Sequence, residues 1–148
     1  MLALVLLLAP DDIETHIKAL KDGNKDVRKA AAEALEKADD KKGAAIKPLG
    51  AVLNDKKEEV EVRYAAAKAL GKAQFKHDAT EALVTCVTSI TNKDRDLFKF
   101  GADVTAVLNK FAGEDFGSGK QTPSLWEQWW ADNKEKLKKE DEKKRAGK

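Results

Sequence analysis

The chain has little with which to staple or ligate itself. Its 148 residues hold one cysteine, three prolines and two histidines. A single thiol excludes an internal disulfide. Cys86 stands beside Leu83, Val84 and Val87 with no basic cluster next to it, and reads as a small core residue rather than a reactive nucleophile. His16 and His77 are isolated and lack ligand spacing to Cys86 or to a carboxylate cluster. Both read as structural positions, so neither a metal nor any other cofactor is expected. Few prolines, with 36% charged and 42% hydrophobic residues, exclude a disordered chain and favour a soluble, helix-rich one.

Charge of one sign is lacking too. The formal net charge is +2, and residues 134–148 alone carry eight Lys/Arg against four Asp/Glu, which leaves −2 on the rest. A nucleic-acid binder needs a concentrated basic stripe, and the body of this chain has none. "GSGK" at 117–120 is a fragment of a phosphate loop without a Ser or Thr after Lys120. No catalytic constellation appears, and no enzymatic activity is expected.

Long apolar runs are limited to the opening "MLALVLLLAP", residues 1–10, far short of the roughly 20 residues of a membrane span. The run matches the core of a secretory signal, although no Lys or Arg precedes it and no A-x-A site closes it. It is either a clipped signal or a cover for the first end of the fold. Export to a periplasmic or external location is favoured over a cytoplasmic one.

What the chain does have is repetition. Val27, Ala30, Ala31, Ala34, Leu35 and Ala38 form one apolar helix face. Thirty-five residues later stand Val62, Ala65, Ala66, Ala69, Leu70 and Ala73, and after the same interval Leu97, Phe100, Gly101, Val104, Thr105 and Leu108. Alanine lets sandwiched helices approach closely at no loss of helix propensity, so these are inner helices of stacked pairs. Ile13, Ile17 and Leu20, then Ile46, Leu49 and Leu53, then Leu83, Val87 and Ile90 mark the outer helices. Asp11 with Glu14 has capping-box spacing, and Gly23 in "DGNKD" suits a left-handed helix stop. The turn "NDKKEE" at 54–59 is two residues longer than its counterpart.

These signals divide the chain into an apolar segment 1–10, repeats over 11–112 (about 11–40, 43–74 and 77–112) and a Gly-rich linker at 113–122. A Trp-rich helix at 123–137 follows, opened by Ser124 and Glu127, and then a charged tail, 138–148. Nothing is apolar beyond Leu137 except Ala146, so the tail is expected to fray.

The stretches Asp26-Val27-Arg28 with Ala30 to Leu35, and Glu61-Val62-Arg63 with Ala65 to Leu70, resemble the HEAT repeat, in particular the short bacterial type also found in phycobilin lyase subunits. The third unit, Asp96-Leu97-Phe98, loses the Arg and most of the Ala. The resemblance implies an all-α solenoid of three helix pairs whose inner helices line a binding face, used mostly for protein contacts and not for catalysis.

Within that frame Arg28 is expected to face Glu61, and Arg63 to face Asp96, or the pairing runs the other way, in a ladder between repeats that also involves Asp26; ligand binding is the alternative role. Phe98 occupies the Arg position of the last unit, so Trp126, Trp129 and Trp130 are expected to cap the open end by packing on Phe98 and Ala102, or else to form an aromatic partner surface. Lys29, Glu33, Glu36, Tyr64, Lys68, Lys99 and Asp103 point away from the core and are the candidates for partner binding, Tyr64 being the anchor. The bland alternative is a solvated mixed-charge face. The leading function is a protein-interaction module or scaffold, with a protein partner, no membrane span, and a monomer favoured over an oligomer. Nucleic-acid binding by the helical stack, or an accessory role in a bilin-lyase-like enzyme, are the alternatives.

Overall fold

The computed structural model describes residues 12–90, 95–117 and 119–147, without the side chains of residues 95 and 96. The apolar segment 1–10 lies outside them. Among the described residues there are seven helices and no strand: α1 (Ile13–Ala19), α2 (Lys25–Lys37), α3 (Ile46–Asn54), α4 (Val60–Leu70), α5 (Lys76–Ser89), α6 (Arg95–Ala112) and α7 (Thr122–Ala146). The first six form three pairs. α2 packs along α4 and α4 meets α6, so the alanine-rich helices make an inner layer; α3 packs on α5 in the outer layer. The architecture is an all-α solenoid.

Local chemistry sets the helix starts. α1 is capped by Asp12, whose Oδ1 accepts from the Thr15 amide at 3.1 Å and whose Oδ2 accepts from the Thr15 hydroxyl. The cap therefore lies one residue after the expected Asp11, which falls outside the described residues. α2 is capped by Asn24, which accepts from the Asp26 amide at 2.8 Å. Gly23 does not take the left-handed conformation; the Asp22 carboxylate accepts from the Asn24 amide at 2.8 Å and makes the turn instead. The left-handed glycines are Gly43, Gly113 and Gly117.

α4 lies between two inner neighbours and is buried almost all round. Val62, Ala65, Ala66, Ala69 and Leu70 are in the core as the repeat requires. Ala67 and Ala32, both off the predicted face, are also 0% exposed, because small side chains let further neighbours close in. Where α4 ends, a Cβ on Gly71 would stand 2.7 Å from the Val107 Cγ1 of α6.

α7 departs from expectation twice. Gly113, at φ 77°, ends α6 and turns the chain back, so α7 runs along α5 rather than over α6. Phe98 is consequently 65% exposed and is not covered by the tryptophans. Trp126 is fully buried against the edges of Phe116 and Trp129, and Trp130 lies on His77 at 5.2 Å between ring centroids. Nor does the helix fray after Leu137. It continues to Ala146 because Asp141, 5% exposed, accepts from the amides of Lys76 (3.0 Å) and His77 (2.8 Å) at the start of α5. Lys144 donates to the Gln74 carbonyl, and the Arg145 guanidinium stacks 4.0 Å over the Phe75 ring while donating to the Lys42 carbonyl.

Candidate functional site

The expected rung between Arg28 and Glu61 does not form, and the rung between Arg63 and Asp96 falls on a side chain outside the described residues. Arg28 reaches past Glu61 to Glu58 in the α3–α4 turn, where Nε and Nη2 make a bidentate pair at 2.6 and 2.8 Å. Its Nη1 donates to the Asp22 carbonyl at 2.7 Å, so one guanidinium joins the turns of the first two units. The pairing holds the Glu58 carboxyl below its ordinary range and raises Arg28. Glu58 stands in the connection 55–59, which is five residues long like the α1–α2 connection 20–24 and not two longer as the spacing of the apolar faces suggests.

Arg63 takes another path. It is 3% exposed, donates from Nε to the Leu53 carbonyl at 2.8 Å and lies 4.5 Å over the Phe100 ring. No carboxylate pairs with it among the described residues, and the Asp96 side chain lies outside them. Asp26 is exposed and makes no ion pair among the described residues. Of the residues assigned to the cap, Trp126, Trp129 and Trp130 gather on α5 and Phe116, while Phe98 stands apart.

The outward-pointing residues of the inner helices do come together. On α2, Lys29 pairs with Glu33 at 3.9 Å, and Glu36 reaches across to Lys68 of α4 at 3.7 Å. The Lys68 ammonium also sits 5.6 Å from the centroid of the Tyr64 ring. On α6, Lys99 pairs with Asp103 at 2.7 Å, and this bond raises the Lys99 amine above its ordinary value. All seven candidates therefore share one strip across α2, α4 and α6, and every one of its lysines is matched within the strip.

Between α4 and α6 the strip dips into a cleft of about 250 Å³, lined by Val60, Glu61, Tyr64, Lys99, Phe100 and Asp103. Sequence reasoning assigned Phe100 only to the core and left Val60 unplaced. The signal was Val60 one turn before Tyr64 and Phe100 next to Lys99, but the cleft itself depends on how α4 and α6 pack against each other. Tyr64 lines one side, the buried Phe100 ring lies at the base, and Glu61, Lys99 and Asp103 form a polar rim.

Chemistry elsewhere is equally quiet. Cys86 is fully buried, and burial pushes its thiol up to about 11 although the nearby Arg63 pulls the other way. It is a core residue, as the sequence reading has it. No group of three or more His, Cys, Asp or Glu among the described residues could hold a metal ion. His77 Nδ1 lies 2.8 Å from its neighbour Asp78, and His16 is buried with neither ring nitrogen bonded among the described residues. No described helix is long and apolar enough to cross a membrane.

Comparison with known proteins gives one positive finding. The family model for HEAT repeats matches residues 13–97, more than half of the chain. No match was found among curated proteins or among solved structures. Proteins of this family are generally interaction scaffolds and typically non-catalytic. The matched span runs from the start of α1 through α5 to the first residues of α6, and the chain belongs to the HEAT repeat family.

Proposed function

We propose that the chain is a non-catalytic protein-interaction module that docks its partner on the inner-helix strip. The observation that carries this reading is the α4–α6 cleft, where Tyr64 and Phe100 offer aromatic surface beside Glu61, Lys99 and Asp103. Aromatic anchors in a partly desolvated pocket, with a polar rim, are how interfaces concentrate affinity. Nucleic acid fits the strip poorly. Lys29, Lys68 and Lys99 are matched by Glu33, Glu36 and Asp103, and Glu61 adds a further negative charge, so phosphates meet no uncommitted cation there.

The test is affinity capture with crosslinking and mass spectrometry, comparing wild type with a Tyr64→Ala/Lys68→Glu variant. The expected result is a protein retained by wild type and lost by the variant. The same set retained by both, or none by either, would sink the reading.

A further inference from the structure

We infer that the outer surface carries a second docking site, a groove between α1 and α3 that takes an acidic, amphipathic helix of a partner protein. This site is separate from the inner-helix strip and does not depend on it.

The groove exists because the outer layer is broken. α3 and α5 interlock: a Cβ on Gly50 would stand 3.1 Å from the Ala82 Cβ, and the Asn54 side-chain amide donates to the Ala82 carbonyl at 3.1 Å. α1 is only seven residues long, packs on α2 and barely meets α3. The space left open is about 680 Å³. Its apolar wall is built from Ile17 and Leu20 on one side and Pro48, Ala51 and Val52 on the other. Ala51 is exposed, one residue from the glycine that presses against α5. The Arg28–Glu58 pair closes one part of the rim.

The charge around the groove selects the ligand. Lys21, Lys47 and Lys57 line it, are exposed, and make no ion pair among the described residues. Of the lining carboxylates Glu58 is held by Arg28, while Asp22 and Asp55 accept from the Asn24 and Lys57 amides and keep their charge, so four cations stand against three carboxylates. The inner strip, by contrast, matches all its lysines internally. An apolar trough between two helices with uncommitted cations on its rim is complementary to a third helix bearing leucine-like residues on one face and carboxylates at its flanks. Backbone phosphates would answer the lysines but leave the apolar wall unfilled.

The probe is a short fluorescein-labelled peptide with leucines at i, i+3, i+4 and i+7 flanked by glutamates, and a counterpart with lysine for glutamate, titrated against the full chain by fluorescence anisotropy. The acidic peptide is expected to bind saturably and its counterpart not to bind. Lys47→Glu/Lys57→Glu should weaken binding by about tenfold or more, whereas Tyr64→Ala should leave it unchanged, which separates this site from the inner strip. A photo-crosslinking benzoylphenylalanine in place of Ala51 should trap the peptide. Absence of binding, equal binding of both peptides, or indifference to the double charge reversal would overturn the inference. So would a crosslink from position 51 to residues 1–10 of the same chain or to a second copy.

Discussion

The start of α5 is held by a residue from the far end of the chain, and removing that residue has a calculable effect. Phe75 precedes α5 and gives no side-chain cap, so the first amides of the helix depend on Asp141. Hydrogen bonds to a charged group contribute about 1.5–3 kcal/mol each, and loss of a helix cap costs about 0.5–2 kcal/mol. The two figures overlap because the bonds are the cap, so Asp141→Ala should cost about 2–3 kcal/mol and Asp141→Asn, which keeps one acceptor oxygen, about half as much. At this chain length 1 kcal/mol moves the midpoint by about 2–4 °C, so the alanine variant should melt about 5–10 °C below wild type by far-UV circular dichroism. Hydrogen exchange should accelerate at the Lys76 and His77 amides and along 138–146. Glu140→Ala, at an exposed neighbour, is the control. If Asp141→Ala melts with the control, or the two amides keep their protection, the capping argument fails.

Two further outcomes follow from the same kind of reasoning. Arg28 lowers the folded-state pKa of Glu58 below its ordinary 4.5, so the pair's contribution is complete above that value and is lost as the pH falls through the lowered one. With side chains 19% and 8% exposed, Glu58→Gln should cost about 1–2 kcal/mol at neutral pH, and urea unfolding should show wild type and variant converging in acid. Gly43 has φ 70° and a Cβ there would meet the Phe75 ring at 2.6 Å, so Gly43→Ala should cost about 1–3 kcal/mol. Gly23→Ala, with nothing within 4 Å and no positive φ, should be close to neutral in the same melt.

The faces of the inner helices were legible because alanine spacing survives any detail of the turns. Side-chain destinations were not. Arg28 meets Glu58, in the connection before α4, rather than Glu61 in the first turn of α4, and Arg63, on the equivalent position, turns inward to a carbonyl and a phenyl ring. The end of α7 was misread for a different reason. Trp126, Trp130, Leu137 and Asp141 fall on one helical stripe, but a periodicity read from apolar residues stops at Leu137 and discards the carboxylate that continues the contact. The candidate strip was readable as outward positions; its cleft was not, since that depends on how α4 and α6 pack against each other.

Asp141, Lys144 and Arg145 bond to positions 65, 70 and 103 residues earlier in the chain. Helical repeats ordinarily fold from neighbour to neighbour, with contacts of low sequence separation. Here the last turns of the polypeptide close back on the connections before the second and third outer helices. Loops of that length form late, because their closure entropy must be met before the contact returns anything. During synthesis the helix pairs can assemble in order, but α5 stays without its cap until Asp141 emerges. The finished chain is then tied as one cooperative body, and loss of a few C-terminal residues should be felt as far back as Lys42.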